Sequence, residues 1–160
     1  MPEPASKILP LCRKLLKARG YRLTNAREAV LGILADAEIG AHLSAEDIYR
    51  MMQNNRLSVG LTSIYRSLDL LVNLGIADRF DFGDGRARYE LAEGPRGVPH
   101  HHHLVCDNCG IVIDYHEFTD EELRLIKRTE ERLSEKYGFR ITGHVIKFHG
   151  LCSACKRFEE

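Results

Sequence analysis

Apolar positions in the first half of the chain recur every three or four residues, the period of amphipathic helices. Ile8, Leu11, Leu15 and Leu16 form one stripe of a helix over 7–19 that stops at Gly20. Thr24 is placed to cap a second helix, with Val30, Leu31, Ile33 and Leu34 on its inner side. Ser44-Ala45-Glu46-Asp47 fits a capping box opening a third helix through Ile48, Tyr49 and Met52. A turn over 54–60 leads to a fourth, from Thr62 to Leu74, with Ile64, Leu68, Leu71 and Val72 inside and Gly75 as its stop. The period then shortens to two. Ile76 to Phe82 and Arg86 to Leu91 read as strands around the Gly83-Asp84-Gly85 turn. Helices followed by a two-stranded hairpin is the order of a winged helix-turn-helix. In that arrangement the helix at 45–54 braces the one at 62–74, which enters a major groove.

Residues 92–99 are rich in Pro and Gly and read as a hinge. They separate a first domain at 1–91 from a second at 100–160. In the second, His102 to Val105 and Ile111 to Tyr115 are strand-like around Cys106-Asp107-Asn108-Cys109-Gly110. A charged helix follows from the cap Thr119 to Tyr137, and a last strand spans Arg140 to Phe148. The fold class is thus α+β: an N-terminal winged helix-turn-helix and a C-terminal α/β domain.

Charge changes this picture only when read by position. The 160 residues carry 23 Lys+Arg and 23 Asp+Glu. A neutral total argues against nucleic acid, for which a basic surplus is the usual footprint. Yet residues 1–30 hold seven basic groups against two acidic ones, and the halves 1–80 and 81–160 carry +3 and −3. The asymmetry points to a nucleic-acid surface in the first half. No apolar run approaches the ~18 residues of a membrane helix, and the N-terminus lacks a signal-peptide core, so a cytoplasmic protein is expected.

Three constellations carry chemistry. Cys106/Cys109 and Cys152/Cys155 are paired CxxC motifs, which in a reducing compartment point to metal rather than disulfides. Four thiolates close a tetrahedron around Zn²⁺ and leave no open position, so the ion is structural. Lone Cys12 lies on the apolar side of the first helix and reads as a small core residue. In the run His100-His101-His102-His103, strand alternation puts His101 and His103 on one face and His100 and His102 on the other. Two imidazoles at i and i+2, with Asp114 on the following strand, suit Fe²⁺, Mn²⁺, Co²⁺ or Zn²⁺. The third constellation, Thr62, Ser63, Tyr65, Arg66 and Ser67, forms the polar face of the helix at 62–74. It offers phosphate bonds, a base-edge arginine and an aromatic ring for thymine methyls. A hydrolytic metal centre is disfavoured because the chain has no HExxH and no nucleophile motif, so no enzyme and no small-molecule substrate are expected.

Together these residues resemble the ferric uptake regulator family. Arg22-Leu23-Thr24 with Arg27, His42-Leu43-Ser44-Ala45-Glu46-Asp47, Gly60-Leu61-Thr62-Ser63-Ile64-Tyr65-Arg66, Arg88-Tyr89-Glu90-Leu91 and His100 to Cys106 occur in that family's order, over about 20–155. The resemblance implies a homodimeric, metal-activated repressor, with a tetramer as the alternative, that binds double-stranded operator DNA through a chain with a C-terminal dimerisation domain. It implies structural Zn²⁺ at the four cysteines and a regulatory metal, Fe²⁺ first with Mn²⁺ or Zn²⁺ as alternatives, at His42, Glu90, His101, His103 and Asp114. A further site matches His100, His144 and an acidic residue opening the late helix, Glu121 ahead of Glu122. Tyr65 and Arg66 match major-groove contacts, and Arg22 a minor-groove contact. Iron sensors of the family usually carry Asp at the His102 position and Glu at the Asp114 position, and Asp114 is a mark of its peroxide sensors. Glu90, by contrast, is the iron-sensor residue. The expected function is an Fe²⁺-sensing repressor of iron uptake genes, with a peroxide-sensing Fe/Mn repressor or a zinc-uptake regulator as alternatives.

Overall fold

A computed structural model describes residues 5–38, 40–92 and 101–156. The chain divides into two compact units, Met1–Pro99 and His100–Glu160. Most of the proposed hinge, and His100, lie outside the described residues.

The first unit runs α1 (Ala5–Ala18), α2 (Asn25–Asp36), β1 (Leu43–Ser44), α3 (Ala45–Asn54), α4 (Leu61–Asn73), β2 (Ala77–Asp81) and β3 (Ala87–Leu91). Each helix is bounded by local chemistry. Thr24 accepts from the Arg27 N–H at the start of α2. Ser44 and Asp47 complete a reciprocal capping box on α3. At the ends of α1 and α4, Gly20 (φ +78°) and Gly75 (φ +66°) turn the chain through the left-handed region. The next N–H then reaches back five residues, Tyr21 to the Leu16 carbonyl and Ile76 to the Leu71 carbonyl, both at 2.9 Å.

The stripe expected on α1 is corrected by one row. Ile8, Cys12 and Leu16 are buried, whereas Leu11 and Leu15 are exposed. With 3.6 residues per turn, the i, i+4, i+8 row lies along one face, and it is this row, Cys12 included, that is turned to the core. That row joins Val30, Leu31, Leu34, Ile48, Met52, Ile64, Leu68 and Leu71 in one core. Each such burial contributes about 1.5–3 kcal/mol.

The sheet order is β1-β3-β2. The hairpin β2–β3 is antiparallel, from Ala77↔Leu91 to Asp81↔Ala87. Strand β1, which periodicity did not reveal, pairs Leu43 with Tyr89 and Ser44 with Arg88. Two residues are too few for a hydrophobic period.

The second unit contains β4 (His102–Cys106), β5 (Val112–Tyr115), α5 (Asp120–Tyr137), β6 (Lys147–Gly150) and the short α6 (Ser153–Lys156). Central β4 pairs antiparallel with β5 and parallel with β6. The last strand is shorter than the stretch from Arg140 to Phe148 suggests. Pairing begins only at His103↔Lys147, although the His103 N–H also reaches the Ile146 carbonyl. Thr119 and Glu122 cap α5 reciprocally, yet none of its 18 residues is fully buried. No helix among the described residues is long and apolar enough to cross a membrane.

Candidate metal centres and nucleic-acid interface

The CxxC turn between β4 and β5 meets the second CxxC because parallel pairing sets Cys106 beside Gly150, where the Asp107 N–H reaches the Gly150 carbonyl. The Sγ atoms of Cys106, Cys109, Cys152 and Cys155 all lie within 4.8 Å of one another, with Cys109 and Cys152 at 3.7 Å. Bonds of about 2.3 Å to a tetrahedral ion place sulfurs roughly 3.8 Å apart, so the residues fit a zinc ion. Their electrostatics ask for one. The backbone N–H groups of Cys109 and Cys152 pull the Cys106 thiol down to about 6, and the Cys152 N–H lies 3.3 Å from its sulfur. The Cys152 thiol next to it, with burial, pushes Cys155 up to about 12. Four sulfurs this close cannot all ionise without a cation among them.

In the same unit, register pairs His103 with Asp114 across β4 and β5. His103 Nδ1 lies 3.4 Å from Asp114 Oδ1, and His101 Nε2 lies 3.9 Å from Oδ2. All three side chains are buried, and the two imidazoles stand perpendicular with centroids 5.0 Å apart. Donor atoms at these separations are within the roughly 4 Å that two bonds of about 2.1 Å to one cation can span. Two imidazoles and a carboxylate are a donor set for Fe²⁺, Mn²⁺ or Zn²⁺.

In the first unit, β1 brings His42 beside Glu90. With Leu43 opposite Tyr89, the residues one step outward face each other. His42 Nε2 lies 3.9 Å from Glu90 Oε2, and both side chains are 3 % exposed. The imidazole stands edge-on to the rings of Phe80 and Phe82.

On the opposite side of β4 a second histidine pair forms. His102 Nε2 and His144 Nε2 are 3.1 Å apart, and His144 Nδ1 is 2.7 Å from Glu130 Oε1. The structure therefore sets His102 against His144. Glu121 is exposed on the first turn of α5, whereas Glu122 turns back to its cap and to the Tyr115 hydroxyl, which donates to it at 3.2 Å. The Thr119 N–H holds the Glu122 carboxyl below the ordinary range, with the nearby His102 adding to this. Glu130 carries no sequence signal, since it lies on a different element 14 residues from His144.

On α4, Thr62, Tyr65 and Arg66 are exposed, but Ser67 is buried and donates to the Ser63 carbonyl at 2.7 Å, which removes it from the polar face. Arg22 lines a groove with Thr24, Ser58, Gly60 and Ser63, so the starts of α2 and α4 share one surface. The Tyr65 hydroxyl donates to Glu46 Oε1 at 2.7 Å. Glu46, 19 residues earlier, belongs to the capping sequence of α3, and nothing local marks it as the partner of Tyr65.

These sites sit on a chain with close relatives. Residues 18–149 match the model of the ferric uptake regulator family. A ferric uptake regulation protein of Bacillus subtilis is 39% identical over 144 residues, covering 89% of this chain and 91% of that protein. The ferric uptake regulator of Pseudomonas aeruginosa, solved with manganese, superposes with a TM-score of 0.70 at 31% identity, covering 88% of this chain and 97% of that one. The Helicobacter pylori ferric uptake regulator, described as having three functional metal binding sites, gives 0.71 at 27% identity, covering 96% and 95%. With four cysteines, a buried imidazole–carboxylate set and a winged helix in the family's order, the chain belongs to the ferric uptake regulator family.

Proposed function

We propose that this protein is an Fe²⁺-activated repressor of iron uptake genes, acting in the cytoplasm as a homodimer on double-stranded operator DNA. The observation that carries the reading is the buried donor set of two imidazoles and a carboxylate on β4 and β5, on a chain whose other unit is a winged helix.

In this reading Cys106, Cys109, Cys152 and Cys155 hold a structural Zn²⁺ that ties the tail to the β4–β5 turn. His101, His103 and Asp114 contribute to the regulatory ion, and His42 and Glu90 complete its set. Bound there, the ion supplies positive charge and a fixed ligand geometry. Its free energy is spent on conformation, so the chain has no catalytic role and no small-molecule substrate. His144, with His102 and an acidic residue at the start of α5, is the candidate for a further ion. Exposed Thr62, Tyr65 and Arg66 meet the major groove, and Arg22 the minor groove. Helix α5 supports the homodimer: Leu125, Leu133 and Tyr137 are exposed in the single chain, an apolar face that a second copy would cover.

Metal and DNA must each raise affinity for the other by the same factor. A mobility-shift titration is expected to show operator affinity roughly 5–150-fold higher with Fe²⁺ or Mn²⁺ than with chelator. Identical affinities under the two conditions would sink the reading.

A further inference from the structure

The surroundings of His42 are more ordered than a ligand alone requires. Phe80 and Phe82 alternate along one face of the β2 strand and its continuation. Their rings are stacked within 8° of parallel, centroids 5.7 Å apart. The His42 ring stands at 90° to one and 85° to the other, at 5.3 and 5.0 Å. Phe82 is braced in turn. The Arg88 guanidinium lies over it, 5.7 Å from the centroid, and is held bidentate by Asp84 in the hairpin turn. Aromatic rings prefer this edge-to-face arrangement, and two parallel rings packed against one imidazole hold its plane perpendicular to theirs.

We propose that Phe80 and Phe82 are positioning residues for metal binding: they lock the His42 imidazole plane so that Nε2 is presented to the ion beside Glu90. The Arg88–Asp84 pair keeps Phe82 in place and anchors the assembly to the hairpin turn. A ligand whose rotamer is already fixed loses little freedom on coordination, and partners that orient a ligating histidine govern affinity though they never touch the ion. This rests on His42 being a ligand, as proposed above.

The test uses full-length, zinc-loaded protein and Co²⁺ as probe, read by competition with a chelator and by the visible ligand-field spectrum. Phe82→Leu keeps an apolar side chain and removes the ring. It is expected to weaken Co²⁺ binding about 10–100-fold and alter the spectrum, while Phe82→Tyr restores both. Phe80→Leu provides a second variant if Phe82→Leu does not reach the native circular-dichroism spectrum, and the same loss is expected. Wild-type affinity and spectrum in the folded Leu variants would overturn the proposal. His42→Ala separates the two levels. If it loses Co²⁺ while the Leu variants do not, only the positioning role fails; if it too binds as wild type, the ligand reading fails.

Discussion

At the scale of single residues, the polar groups that matter are held by partners far away in sequence. Tyr65 shows what this does. The Glu46 carboxylate that accepts its hydrogen bond pushes the hydroxyl above its ordinary range, and the same bond holds Glu46 low. Tyr65 thus stays a neutral donor, its ring direction set from α3, and in the proposed function that ring meets DNA. Glu46→Ala frees the ring and removes a charge that repels phosphate. A hydrogen bond to an ionised group at a solvated site is worth about 1 kcal/mol. The ratio of affinities for operator and scrambled DNA is therefore expected to fall roughly 5-fold, mostly through tighter non-specific binding. Equilibrium competition in both DNAs checks this, and an unchanged ratio would show that Tyr65 is positioned without Glu46.

At the scale of elements, local chemistry sets most boundaries, and one exception is instructive. Helix α3 ends with the same five-residue reach as α1 and α4, the Leu57 N–H meeting the Met52 carbonyl at 2.9 Å. The turning residue, however, is Arg56 at φ +56° where the other two use Gly. A side chain in that region costs about 1–2 kcal/mol. Glycine removes this cost but gives back part of it in unfolded-state entropy. Arg56→Gly is expected to stabilise the first unit by about 0.5–1 kcal/mol, read as a higher urea midpoint with an unchanged slope. A lower midpoint would mean that the Arg56 side chain contributes more than its backbone costs.

For the whole molecule, the central feature is a helix that one chain leaves uncovered. Leu125 is 66 % and Tyr137 65 % exposed, and α5 lends Leu125, Leu133 and Tyr137 to an apolar groove with Phe139 and Ile141. If a second copy covers this face, Leu125→Arg buries an unpaired charge at the interface. The dimer is then expected to weaken by roughly 3–5 kcal/mol, with monomer visible at micromolar concentration in sedimentation equilibrium. Dimer of wild-type stability would place the interface elsewhere.

What the sequence determined by itself is what local rules govern. Helix starts at Thr24, Ser44 and Thr119, the turns at Gly20 and Gly75, and the CxxC spacing need only neighbours within a few residues. The family motifs add to this because they name residue types in order. What tertiary structure alone decided depends on pairing between distant segments. The two-residue strand β1 brings His42 to Glu90, and register sets His103 opposite Asp114. The side of α1 that is buried, the turning of His102 toward His144 and the loss of Ser67 from the α4 surface also required it. A period reports which face a residue is on. Which element covers that face, and in what register, is fixed only when the segments meet.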